Sequence, residues 1–108
     1  MSWTVETLND VVDAELEALP ADMRASFVRI AALIEEFGLA RVRAPHLKHV
    51  SGPIWEMRLR GRDGISRALY VTAVRRRVVV VRVFVKKTQA TPAREIDLAL
   101  QRAREIAP

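Results

Sequence analysis

The spacing of apolar residues changes once along this chain, from the three-and-four step of helices to the alternation of strands, and that switch calls for an α+β fold. Trp3-Thr-Val-Glu6 alternates as a short strand does, and Asn9 or Asp10 then offers a side-chain oxygen to cap a helix. Leu8, Val12, Leu16 and Leu19 form one helical stripe that ends at Pro20. A second stripe, Met23, Phe27, Ile30, Ile34 and Phe37, runs to Gly38, a glycine stop, so the two predict a helical hairpin whose apolar stripe is core. Pro45, Gly52 and Pro53 then mark a connecting loop holding His46, Lys48 and His49. From Ile54 to Arg60 the period is two, with Trp55, Met57 and Leu59 on one side and Glu56, Arg58 and Arg60 on the other. Gly61-Arg-Asp-Gly64 supplies a hairpin turn, Ile65 to Val74 a second strand, and Val78 to Lys86 a β-branched strand apolar on both faces and so central. Thr91-Pro92 opens a last helix that buries Ile96, Leu100, Ala103 and either Ile106 or Ala107. The predicted order is β-α-α-β-β-β-α, with the last three strands an antiparallel meander.

At 108 residues the chain fits one domain, 1–108, with a single core. It has no cysteine, which removes thiol catalysis, disulfides and thiolate metal sites and suits a reducing cytoplasm. No uncharged run exceeds seven residues, too short for a membrane span, and no basic start leads into an apolar leader. The charge is uneven. Arg41 to Lys87 holds thirteen Lys and Arg against Glu56 and Asp63, a net +11, while the flanks hold five against eleven acids, a net −6. Such a block favours a polyanion, with nucleic acid ahead of an acidic protein surface. No metal cluster, glycine-rich phosphate loop or serine triad is present in the sequence, and no cofactor is implied.

Pro45-His-Leu-Lys48, Leu47-Lys-His-Val50 ahead of Trp55-Glu-Met-Arg58, the Arg67-Ala-Leu-Tyr70 strand, and above all Phe84-Val-Lys-Lys-Thr-Gln89 before Thr91-Pro92 occur in one order on predicted strands. In these runs the chain resembles the HigB branch of the RelE/ParE toxin superfamily, members of which often carry a phage-derived description. The resemblance covers nearly the whole length. It implies a RelE-like, microbial-ribonuclease-like α+β fold: a twisted antiparallel sheet with helices on one face and a basic concave face opposite. It also implies a type II toxin held inactive by a cognate antitoxin, a helix-turn-helix protein, with operator DNA reached only through that complex. Many such toxins act at the ribosome as metal-independent messenger RNA endoribonucleases, with the RNA's own 2′-hydroxyl as nucleophile, and the resemblance implies the same here. The alternatives are a non-enzymatic gyrase inhibitor like ParE relatives, or a non-cutting basic module that works only with its antitoxin.

Phosphate cleavage of this kind needs a base, charge stabilisation and an acid, and cations alone can supply the second. By position in the family pattern, Arg67 and Lys87 are the first catalytic candidates, followed by Arg58 and Lys86, with Arg82 sharing a strand face with Lys86. Lys48, His49, Arg60 and Tyr70 are candidates for RNA contact, Tyr70 by stacking. Glu56 is read as an ion-pair partner. The chain departs from its relatives at Arg82, where many HigB proteins have histidine, and at Ala93 and Arg94, near which RelE proteins carry a tyrosine. Proton handling then falls to His46, His49 or a lysine whose pKa neighbouring cations lower.

Overall fold

The computed structural model describes residues 2–42, 45–87 and 89–106. Strand β1 (Thr4–Thr7) leads into helix α1 (Asp10–Glu17) and helix α2 (Ala21–Phe37). Asn9 caps α1, its side-chain oxygen accepting the Val12 N–H at 3.1 Å. Helix α2 starts after Pro20 and stops at Gly38, whose φ of 87° is open to glycine and strained for other residues. A 3-10 turn (Leu39–Arg41) follows, then β2 (Leu47–Ser51), β3 (Ile54–Gly61), β4 (Gly64–Ala73), β5 (Arg77–Val85) and helix α3 (Ala93–Ala103).

The sheet order is β1-β5-β4-β3-β2. The meander of β3, β4 and β5 is antiparallel as the alternation predicts, and β5 is an interior strand with Val78 to Val81 at most 1 % exposed. Three features differ from the sequence reading. The segment read as a loop around His46 to His49 contains β2, an edge strand paired antiparallel to β3 through Leu47↔Met57, Lys48↔Glu56 and His49↔Trp55. Its five residues, bounded by turns, are too few to show a period. The sheet is mixed, because β1 runs parallel to β5 from Thr4↔Arg77 to Thr7↔Val80. Helices also pack on both faces. On one face, α1 and α2 bring Val12, Leu19, Met23, Phe27, Ile30 and Ile34 against Met57, Leu59, Ala68, Tyr70, Val78 and Val80. On the other, α3 lays Ala99, Leu100 and Ala103 over Leu69, Val71, Val79 and Val81, so it covers part of the face expected to be open. Ile106 also packs there, while Ala107 lies outside the described residues, and Phe37, assigned to the helical stripe, is 52 % exposed.

Helix α2 is held to the β3–β4 hairpin by polar contacts as well. Ser26 donates to the Arg60 carbonyl at 2.7 Å, and Asp22 accepts the Arg62 N–H at 2.6 Å. A Cβ on Gly61 would stand 2.7 Å from Asp22 Oδ1 and 2.8 Å from Met23 Cγ, so this glycine is required by close approach. Gly61→Ala is expected to destabilise the fold by about 1–3 kcal/mol through that crowding, measured as a lower midpoint in chemical denaturation.

Candidate nucleic-acid interface

Cross-strand partners share a face of the sheet. The pairs Lys48↔Glu56, Arg58↔Arg67 and Arg67↔Phe84 therefore place these side chains together on the α3 side. Helix α3 leaves that end of the face uncovered. At its centre Arg67 and Glu56 are both withdrawn from water, each side chain 3 % exposed, with Arg67 Nε 3.0 Å from Glu56 Oε2. The contact is a charge pair and not an aligned hydrogen bond. Arg67 Nη1 donates to the Thr91 hydroxyl, Nη2 donates to the Gln89 carbonyl at 2.8 Å, and the Thr91 hydroxyl donates to Glu56 Oε1 at 3.3 Å. All three guanidinium nitrogens are thus committed. Arg67 ties Gln89 and Thr91, ahead of α3, to the sheet, with its guanidinium withdrawn from the surface.

Around this neutral pair stand cations with no side-chain partner among the described residues. Arg58, across the ladder from Arg67, has a buried Nε that makes no hydrogen bond. Lys86 lies just past β5, its backbone N–H bonded to the Ile65 carbonyl at 2.9 Å. Its ammonium pKa is lowered from the ordinary 10.5 by desolvation first, then by the charges of Arg67 and Arg58, with Lys48 adding and Glu56 opposing. Those interactions place Lys48 (β2), Arg58 (β3) and Lys86 in one electrostatic cluster. Beside it a cleft of about 220 Å³ is lined by Lys48, Glu56, Arg67, Gln89 and Thr91. Arg60 is exposed further along β3 on the same face.

The other candidates lie elsewhere. Arg82 is bound bidentately by Glu95, at 2.7 and 3.1 Å, and by Glu15 at 2.8 Å, so it is a structural cation between α1, β5 and α3. Lys87 is exposed and lines a separate cavity of about 380 Å³ with Phe84, Pro92 and Arg94. Tyr70 is 1 % exposed and belongs to the core under α1 and α2, which corrects its assignment to RNA stacking. His49 is the cross-strand partner of Trp55, edge-on at 5.1 Å, and its Nε2 is 2.8 Å from the Gly52 carbonyl; the residue also lines the cleft beside Lys48 and Arg67. His46 serves through its backbone, its carbonyl accepting the Arg58 N–H at 2.8 Å. Among the described residues no group of three or more His, Cys, Asp or Glu could hold a metal ion.

Residues 14–104 match the model of the family described as Phage derived protein Gp49-like (DUF891). The chain belongs to that family. No curated protein matches it. Among solved structures, this Gp49-like chain is similar to an arginine-to-alanine double mutant of the E. coli toxin RelE in the free state, with a TM-score of 0.61 and 17 % identity over 94 % of this chain and 98 % of that one. It is also similar to the archaeal RelE–RelB complex from Pyrococcus horikoshii OT3, with a TM-score of 0.53 and 17 % identity over 79 % of this chain and 96 % of that one. The Gp49-like chain therefore has the RelE fold, as its sequence runs imply.

Sequence reasoning missed Glu15, Glu95 and Arg102. Arg102 Nη1 donates to the Val81 carbonyl at 2.9 Å and to Glu15 at 3.0 Å, while Glu15 accepts the Val83 N–H at 3.1 Å. These side chains satisfy the edge of β5 beyond Val80, where pairing with β1 ends. A signal existed: Glu95, Ala99 and Arg102 recur at helical steps beside the apolar stripe of α3, and Glu15 lies on α1 between Val12 and Leu19. Burial by itself raises the Glu15 pKa, but the bonds from Arg102 and Val83 and the charges of Arg82 and Arg102 outweigh it and hold the carboxyl below 4.5. A depressed carboxyl stabilises the folded state fully above its unfolded value and loses that contribution as pH falls through the folded one. Glu15→Gln should cost about 1–3 kcal/mol at pH 7, because Arg102 loses a charged acceptor while Arg82 keeps Glu95. In urea melts the gap from the parent protein should narrow below pH 4.5.

Proposed function

We propose that this chain acts as one toxin domain of a type II toxin–antitoxin pair in the cytoplasm and cleaves messenger RNA at the ribosome. The observation that carries the reading is the gathering of unpaired Lys48, Arg58 and Lys86, from three separate strands or strand ends, around the neutralised Arg67–Glu56 pair. A backbone phosphate is the ligand such a cluster suits: the Arg58 fork takes two non-bridging oxygens, and lysines act as mobile point charges. The RelE fold supports the same reading, and the archaeal relative, solved as a RelE–RelB complex, supports an antitoxin partner. The helix-turn-helix nature of that antitoxin is part of this reading.

In the reaction, the 2′-oxygen attacks the adjacent phosphorus, the P–O5′ bond breaks, and a 2′,3′-cyclic phosphate and a 5′-hydroxyl are left. Lys86 is the proton acceptor for the 2′-hydroxyl, because its lowered pKa gives a larger share of neutral amine than an ordinary lysine. Arg58 stabilises the charge on the phosphorane, and the ammonium of Lys48 protonates the leaving 5′-oxygen. Arg60 continues the basic track along the RNA backbone. Arg67 sets the geometry from beneath.

Induction without the antitoxin should arrest growth and leave translated messages cut within codons, with 5′-hydroxyl ends on mapping. Intact messages together with DNA damage would transfer the assignment to gyrase inhibition. Lys86→Ala should slow cleavage about 10²- to 10⁴-fold, the range of a general base, and Arg58→Ala about 10²- to 10³-fold, as for a lost oxyanion donor. Cleavage by the parent protein should rise with pH as Lys86 loses its proton, with an inflection below 10.5. Lys86→Arg keeps the charge and should abolish that inflection, whereas an unchanged profile would remove Lys86 from proton transfer.

A further inference from the structure

The basic cluster accounts for phosphate but leaves one aromatic ring at its border unexplained. Phe84 is the cross-strand neighbour of Arg67 and lies two residues before Lys86 on the same face, yet it is only half-buried. One side rests on the core beneath α3, and the Arg82 guanidinium, fixed by Glu95, holds the ring from 5.8 Å. The remainder lines a cavity of about 380 Å³ with the paired Arg82 and Glu95 and with Lys87 and Arg94, the last two exposed and neither with a charged partner among the described residues.

From this geometry we infer that Phe84 is a stacking platform for one unstacked RNA base next to the cleaved phosphate, with Lys87 and Arg94 holding the following phosphate. This rests on the nuclease reading and adds the form of substrate to it. A base in a single strand is a flat π-surface with a phosphate on either side. Phe84 is a flat apolar surface that has the Arg67–Arg58 ladder across one strand edge and shares its cavity with Lys87 and Arg94. The order of chemistry is the same in both: anion, ring, anion against cation, ring, cation. Stacking of this kind tolerates any base but requires that the base be out of a duplex. An acidic peptide would satisfy the cations, but nothing in its backbone demands an aromatic ring between two of their groups.

The test is equilibrium binding of a short RNA made uncleavable by 2′-O-methylation, compared with the same strand carrying one abasic nucleotide placed in turn at each position flanking the cut. The parent protein should bind the complete strand about five- to a hundredfold more tightly than the strand abasic at one of those positions. Phe84→Leu should erase this preference and leave binding of the abasic strand unchanged, while Phe84→Tyr retains it and guards against a folding defect. Arg58→Ala should weaken both strands alike. A parent protein without base preference, or a Phe84→Leu protein that keeps it, overturns the stacking site. If both strands still bind through Arg58, the phosphate cluster survives that failure, and if no RNA binds at all, the nuclease reading falls too. A Phe84→Leu protein that loses antitoxin affinity while keeping base preference also overturns the proposal and gives the ring to the protein partner.

Discussion

Arg67 and Glu56 can lie inside the sheet only because each cancels the other's charge, and the open end of the molecule is arranged around that pair. Withdrawing two ions from water costs several kcal/mol apiece unless the remaining donors and acceptors are also met. Thr91 and the Gln89 carbonyl meet them. Because both groups belong to the segment leading into α3, the buried pair fixes where the last helix begins. It also sets what remains outside: Lys48, Arg58 and Lys86 stand around the pair, and the Lys86 pKa is lowered first by desolvation and then by the charges of Arg67 and Arg58, with Glu56 opposing.

Much of this was legible from local pattern. The two helical stripes, the Gly61–Gly64 hairpin and the doubly apolar β5 are short-range signals, and each is found where its period places it. What escaped depends on neighbours distant in the chain. Pairing of β1 with β5 joins residues more than seventy apart and has no local signature. Strand β2 is too short and too bounded by turns to show alternation, although Leu47, buried opposite Met57, is its one inward mark. The sequence places Arg82 and Lys86 on one strand and does not reveal that a helix crosses between their ends. Coverage by α3 turns Arg82 into a structural ion and leaves Lys86 open. The burial of Tyr70 escapes the sequence for the related reason that alternation separates two faces of a strand without saying which of them is covered.

The uneven charge of the chain has a second meaning once the pairs are known. The acids that neutralise the central block come largely from the flanks: Glu6 pairs with Arg77, Glu15 and Glu95 with Arg82. Each of these contacts ties an acidic flank to β5, and the flank's own Arg102 closes the set through Glu15. Opposite charges therefore help assemble β1, α1 and α3 about the strand that all three contact. Their distribution decides the surface as well. Acids of the flanks pair with the β5 positions that β1, α1 and α3 approach, and among the described residues none of them forms an ion pair with Lys48, Arg58 or Lys86, beside which the one acid, Glu56, is taken by Arg67. The same imbalance that draws the flanks onto the sheet therefore leaves this face with a concentration of positive charge suited to a polyanion.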